Sequence, residues 1–116
     1  MTSASIGALR AKYSQFEFLE MDIGGELPII SERFDIVTAF DVLFHIHITD
    51  DTAFSRAILN ISKMVKYGGL VIISDSFCSK PWGPFYHEYH RTYEHYVREL
   101  RLAGMEPIHL EPIFLQ

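Results

Sequence analysis

Three stretches of the chain carry strong apolar patterning, and their periods differ. Phe34 to Phe40 (FDIVTAF) is a near-continuous apolar run rich in β-branched residues, and Leu70 to Ser74 (LVIIS), closed by Asp75, is a second. Runs of this kind suit strands buried on both faces, as in a parallel sheet. Between them, Phe54, Ala57, Ile58, Ile61, Met64 and Val65 recur at helical spacing, which predicts a helix over Asp51 to Val65. Thr49 and Asp50 are candidate N-caps, and Asp50 and Asp51 favour the positive end of the helix dipole. Lys63 and Lys66 stand at the other end, and Gly68-Gly69 is expected to end the helix.

The remaining elements are shorter. Ile6, Leu9 and Tyr13 predict a short helix. Phe16 to Ile23 reads as a strand with Asp22 at its end, followed by a break at Gly24-Gly25, and Pro28 keeps the next stretch extended. Phe77 to His90 reads as irregular, aromatic and interrupted by proline. Thr92 to Ala103 predicts a helix capped by Thr92 and stopped by Gly104. Met105 to Leu115 alternates as a last strand, short or at an edge because of Pro107 and Pro112. Strand–helix–strand order with buried strands predicts an α/β fold with a parallel sheet and right-handed crossovers.

Composition narrows the class. The 116 residues suit one domain, and 48% hydrophobic with 22% charged residues argues against a disordered chain. A net charge of -5 argues against a nucleic-acid partner. The acid is concentrated: nine carboxylates and one cation, Arg33, lie between Tyr13 and Asp51. The lone Cys78 excludes an intrachain disulfide and points to a reducing, cytoplasmic compartment. No apolar run reaches the length of a membrane span, and the N-terminus is a poor signal peptide.

In open α/β sheets ligands bind beyond the carboxyl ends of the strands. That selects Asp22-Ile23, Phe40 to His47, and Asp75 to Cys78. Asp22 is either a ligand for an amine or hydroxyl, or a solvated turn residue. Asp41, His45 and His47 lie within seven residues of one another. They read as a general base near neutral pH, as metal ligands, or as one packed and one solvated histidine. The aromatic stretch holding Trp82, Phe85, Tyr86 and His87 lines an apolar pocket as a lid, forms the exposed edge of a partner interface, or in part belongs to the core. No glycine-rich phosphate loop is present: both glycine pairs are isolated.

Taken together, FEFLEMDI, FDIVTAFDVLFHI, AFSRAILNISKMVKYGGLVIISD and RTYEHYVRELRLAGMEPIHLEPIF resemble the C-terminal two-thirds of a class I S-adenosylmethionine-dependent methyltransferase, from about Phe16 onward. Lys66-Tyr67-Gly68-Gly69 stands where that family has Lys-Pro-Gly-Gly, and Gly104-Met105 where it has Gly-Phe. The resemblance implies a partial Rossmann-like sheet, mostly parallel with an antiparallel edge near the C-terminus, and S-adenosylmethionine as cofactor. It puts Asp22 at the adenine amine, Ile23 beside the ring, and Phe40 near the methionine and ribose part. His45 falls close to the methyl-transfer centre as candidate base, and Phe85, Tyr86 and His87 line the pocket of a small-molecule acceptor. Some relatives bind magnesium through Glu-x-x-Glu-His. Here Asp41, Phe44 and His45 correspond, and Phe44 cannot coordinate a cation.

The glycine-rich loop and first strands of the family have no counterpart before Phe16. The expectation is therefore a single incomplete domain over residues 1–116, a fragment inactive alone. The alternative is a non-catalytic α/β remnant that self-associates through exposed sheet edges or pairs with another chain.

Overall fold

A computed structural model describes residues 3–26, 33–47, 49–75, 82–85 and 88–111, with residues 82–85 and 88–90 as backbone. The elements are α1 (Ser3–Lys12), β1 (Phe34–Phe40), a 3-10 turn (Leu43–His45), α2 (Asp51–Met64), β2 (Val65–Ser74), β3 (Trp82–Phe85), β4 (Glu88–His90) and α3 (Tyr93–Leu102).

The central unit is β1–α2–β2. The two strands pair in parallel, with Ile36 opposite Leu70 and Phe40 opposite Ser74. The ladder is interrupted between Phe34 and Ile36, where Phe34 still pairs with Val65 and the extra residues of β2 loop out. Gly69 sits in that bulge. A Cβ there would stand 2.8 Å from the Asp35 carbonyl oxygen and 2.7 Å from Val65 Cγ2, so only glycine lets the two backbones approach. The expected helix end therefore shifts: α2 stops at Met64, and the glycine pair lies inside β2.

The sheet has two unlike faces. Val37, Ala39, Val71 and Ile73 pack with Phe54, Ala57, Ile58 and Ile61 of α2 and Tyr96 of α3. On the other face Phe34, Ile36, Phe40, Leu70 and Ile72 are all about half exposed. The runs read as strands buried on both faces are thus covered on one.

Both amphipathic helices end as their sequences imply. Asp50 caps α2 by accepting the Ala53 amide at 3.0 Å. Thr92 caps α3 by accepting the His95 amide at 3.1 Å. At the far end of α3, Gly104 adopts φ +86°, its amide bonds to Arg101, and the Met105 amide reaches back to Leu100. That is a Schellman closure, which requires a left-handed residue and explains Gly104-Met105.

Two expected strands are absent among the described residues. Phe16 to Ile23 forms no strand: the Arg10 guanidinium donates to the Phe18 carbonyl at 2.7 Å, and Phe16 and Leu19 are exposed. Residues 105–111 form no strand either, since Pro107 offers no donor and Ile108 and Leu110 face solvent. Conversely, the aromatic stretch read as irregular contains an antiparallel hairpin, β3–β4, whose Trp82 lies opposite His90. Among the described residues the antiparallel pairing is this hairpin. The result is a mixed helix and strand fold, with a two-strand parallel sheet and flanking helices, matching a partial Rossmann-like sheet.

Candidate active site

The carboxyl ends of β1 and β2 lie side by side. The Asp41 amide donates to the Ser74 carbonyl at 2.8 Å, so the residues that follow each strand leave the sheet together. Asp41 does so at φ +54°, a left-handed backbone that a non-glycine residue adopts at some cost. Strain of this kind clusters at functional sites. The chain then tightens into the 3-10 turn, which buries Leu43 and Phe44 and leaves His45 exposed. The His45 ring rests 4.4 Å from that of Phe44. Phe44 is thus a core anchor that fixes where His45 stands.

Arg91 holds the segment that follows. Its side chain is fully buried, donating to the Ile46 carbonyl at 2.9 Å and the His47 carbonyl at 2.6 Å. The guanidinium lies 4.3 Å over the Phe54 ring, and its Nε is 3.7 Å from Asp51. A planar, multi-donor cation suits two carbonyls, an acid and an aromatic face at once. Burial pulls the Arg91 guanidinium below its ordinary range, opposed by Asp51. Beside it, burial likewise lowers His95, again opposed by Asp51, 3.9 Å away.

The Asp22 turn is anchored from a different side. Asn60 is buried within the apolar face of α2 and donates to the carbonyls of Ile23, at 2.7 Å, and Gly25, at 3.0 Å. Asp22 Oδ1 accepts the Gly24 amide at 3.0 Å, while the residue as a whole is exposed. A Cβ on Gly25 would stand 3.0 Å from Asp22 Oδ2, so the glycine keeps that oxygen uncrowded. Ile23 is half-buried against the core, and Phe40 is 57% exposed. An open carboxylate oxygen and an accessible aromatic ring are chemically suited to the amine and apolar surfaces of an adenosyl group.

Asp75 completes the group at the strand ends. Tyr96, buried on α3 and edge-on to Phe54, donates its hydroxyl to Asp75 Oδ2 at 3.0 Å. Burial pushes the Asp75 carboxyl up to about 6. The Tyr96 bond opposes this, Asp41 adds to it, and the Val42 amide and His45 oppose it.

Of the residues singled out from sequence, Phe40 and His45 come to this edge, and Asp22 and Ile23 sit on the turn tied to α2. Phe85 lies in β3, while Tyr86, His87 and Cys78 lie outside the described residues. His47 turns its Nδ1 to the Thr49 hydroxyl, 2.7 Å away. Among the described residues no three His, Cys, Asp or Glu side chains are grouped to hold a metal ion. No helix among them is long and apolar enough to cross a membrane. Asn60 and Arg91 carried no sequence signal beyond a polar residue on an apolar helix face and a cation before a cap.

The profile of a family described as a methyltransferase domain matches residues 2–73, more than half of the chain. The chain belongs to the class I S-adenosylmethionine-dependent methyltransferase family. The matched region starts before the Phe16 segment and includes α1, β1, α2 and most of β2. It therefore covers Asp22, Ile23, Phe40 and His45, while Asp75 and α3 lie beyond it. Comparison with curated proteins and with solved structures gave no match. Methyltransferases of this family generally use S-adenosylmethionine.

Proposed function

We propose that the chain serves methyl transfer from S-adenosylmethionine to a small-molecule acceptor. The reading is carried by family membership over the region that holds the Asp22 turn and the end of β1. The cofactor supplies a methyl group already activated on a sulfonium, so the protein's main task is alignment. Asp22 Oδ2 accepts from the adenine amine, and Ile23 packs beside the ring. Phe40 offers its exposed ring to the methionine and ribose part. His45 stands at the transfer centre as the candidate base. Phe85, Tyr86 and His87 line the acceptor pocket.

The order of chain segments follows this division of labour. Asn60 of α2 holds the turn on the adenine side, and Arg91, just before α3, holds the segment after His45 on the transfer side. Calorimetric titration with S-adenosylmethionine and S-adenosylhomocysteine tests the reading. Saturable heat is expected, and Asp22→Ala should weaken it about tenfold, the scale of one charge-assisted hydrogen bond. Absence of heat for both ligands would overturn the assignment.

A further inference from the structure

Arg91 lies beyond the family-matched region, which ends at residue 73, yet it grips a segment inside that region. Its side chain has no access to solvent and donates to the Ile46 carbonyl at 2.9 Å and the His47 carbonyl at 2.6 Å, partners 45 and 44 residues away in sequence. Hydrogen bonds from a cation are the strong kind, and two from one planar group fix direction as well as distance. The Phe54 ring backs the guanidinium at 4.3 Å, and Asp51, at the start of α2, flanks it. Arg91 is also a junction of the chain itself. It directly follows β4 and precedes Thr92, the cap of α3. β4 in turn lies beside the 3-10 turn that carries His45. His45 therefore stands between two anchors. Leu43 and Phe44 are buried just before it, and Arg91 holds the carbonyls of Ile46 and His47 just after it.

We infer that Arg91 is a positioning residue of the transfer site: it staples the β3–β4 hairpin and α3 to the segment after His45, and so sets where the His45 ring stands against the methyl group of the cofactor. This rests on the methyl-transfer reading. Arg91 itself is enclosed, so its effect passes through the backbone at Ile46 and His47. A displacement of about 1 Å at reacting groups can cost on the order of 100-fold in rate, so a staple at this point has leverage. The Asp22 turn is held separately, by Asn60, and cofactor affinity should not follow Arg91. Lysine in its place keeps the charge but offers a point donor where two carbonyls need a fork.

The full chain is tested with S-adenosylmethionine carrying carbon-13 on its methyl group. A nuclear Overhauser contact between that methyl and the His45 ring, assigned by its loss in His45→Gln, is expected in the parent. In Arg91→Lys the contact should disappear, with cofactor affinity by calorimetry within about twofold of the parent, as for sites that share no partner. Native-state amide exchange on the unsubstituted chain is a second readout that needs neither variant nor ligand. The His45 and Ile46 amides, bonded to Val42 and Leu43, should open with the same free energy as the Tyr96 amide of α3. A contact that survives in Arg91→Lys, a parent that binds the cofactor without a contact to His45, or a turn that opens independently of α3 overturns the role of Arg91. If Arg91→Lys loses its helical signal, the parent's contact and its exchange decide together, and the lack of either overturns the role. A chain that binds no S-adenosylmethionine overturns the functional reading, while the exchange result still says whether the staple exists.

Discussion

At the residue scale, burial moves Asp75 and His95 from their ordinary ranges in opposite senses. Asp75 is pushed up to about 6 from 3.8, chiefly by burial. Between those values the folded chain keeps a proton that the unfolded chain has released, so stability falls as pH rises through the window. At pH 7.5 the whole penalty is present, on the order of 1–2 kcal/mol once solvent screening is allowed for. Asp75→Asn removes the charge while leaving an oxygen for Tyr96. Its urea midpoint should exceed the parent's at pH 7.5 and equal it near pH 4. His95 runs the other way. Burial holds it below 6.5, so the unfolded chain takes a proton first as pH falls, and acid weakens the packing of α3. Asp75 was legible as a strand end from the apolar run before it. Its clamp was not, because the distance between Asp75 and Tyr96 depends on how α3 lies over the sheet.

At the element scale, α2 is the organising piece. It buries Phe54, Ala57, Ile58 and Ile61 against the sheet and carries Asn60 among them. Truncating Asn60 to Ala leaves two carbonyls without their donor. It should cost about 1–3 kcal/mol in unfolding free energy, and should weaken S-adenosylmethionine binding by loosening the Asp22 turn. Calorimetry on the folded variant separates the two effects. The helices and the β1–β2 pair were legible because periodicity is a local property of sequence. The Phe16–Ile23 strand was not decided by its alternation. A strand exists only with a partner, and here a side chain, Arg10, takes the carbonyl a neighbour would need. The hairpin β3–β4 was missed for the converse reason: its proline and glycine read as breakers, yet a short bulged pair accommodates both.

At the scale of the whole molecule, the parallel pair presents one bare face. Phe34, Ile36, Phe40, Leu70 and Ile72 stand there half exposed, a contiguous apolar surface of the kind that drives association. Sedimentation velocity should show concentration-dependent species, and Ile36→Lys with Ile72→Lys should shift the distribution toward monomer without loss of helical signal. The face explains why composition alone could not set the covering of the sheet: apolar runs announce burial without saying what supplies it. Arg91 shows the opposite relation between charge and surface. Although a cation, it is wholly enclosed, with two of its donors on the Ile46 and His47 carbonyls. Trypsin, which must swallow an arginine side chain to cut after it, can reach this one only once the junction of α2, α3 and the His45 loop has come apart. Cleavage after Arg91 is therefore a clock for the opening of the transfer side, running within the natural sequence and needing no added label.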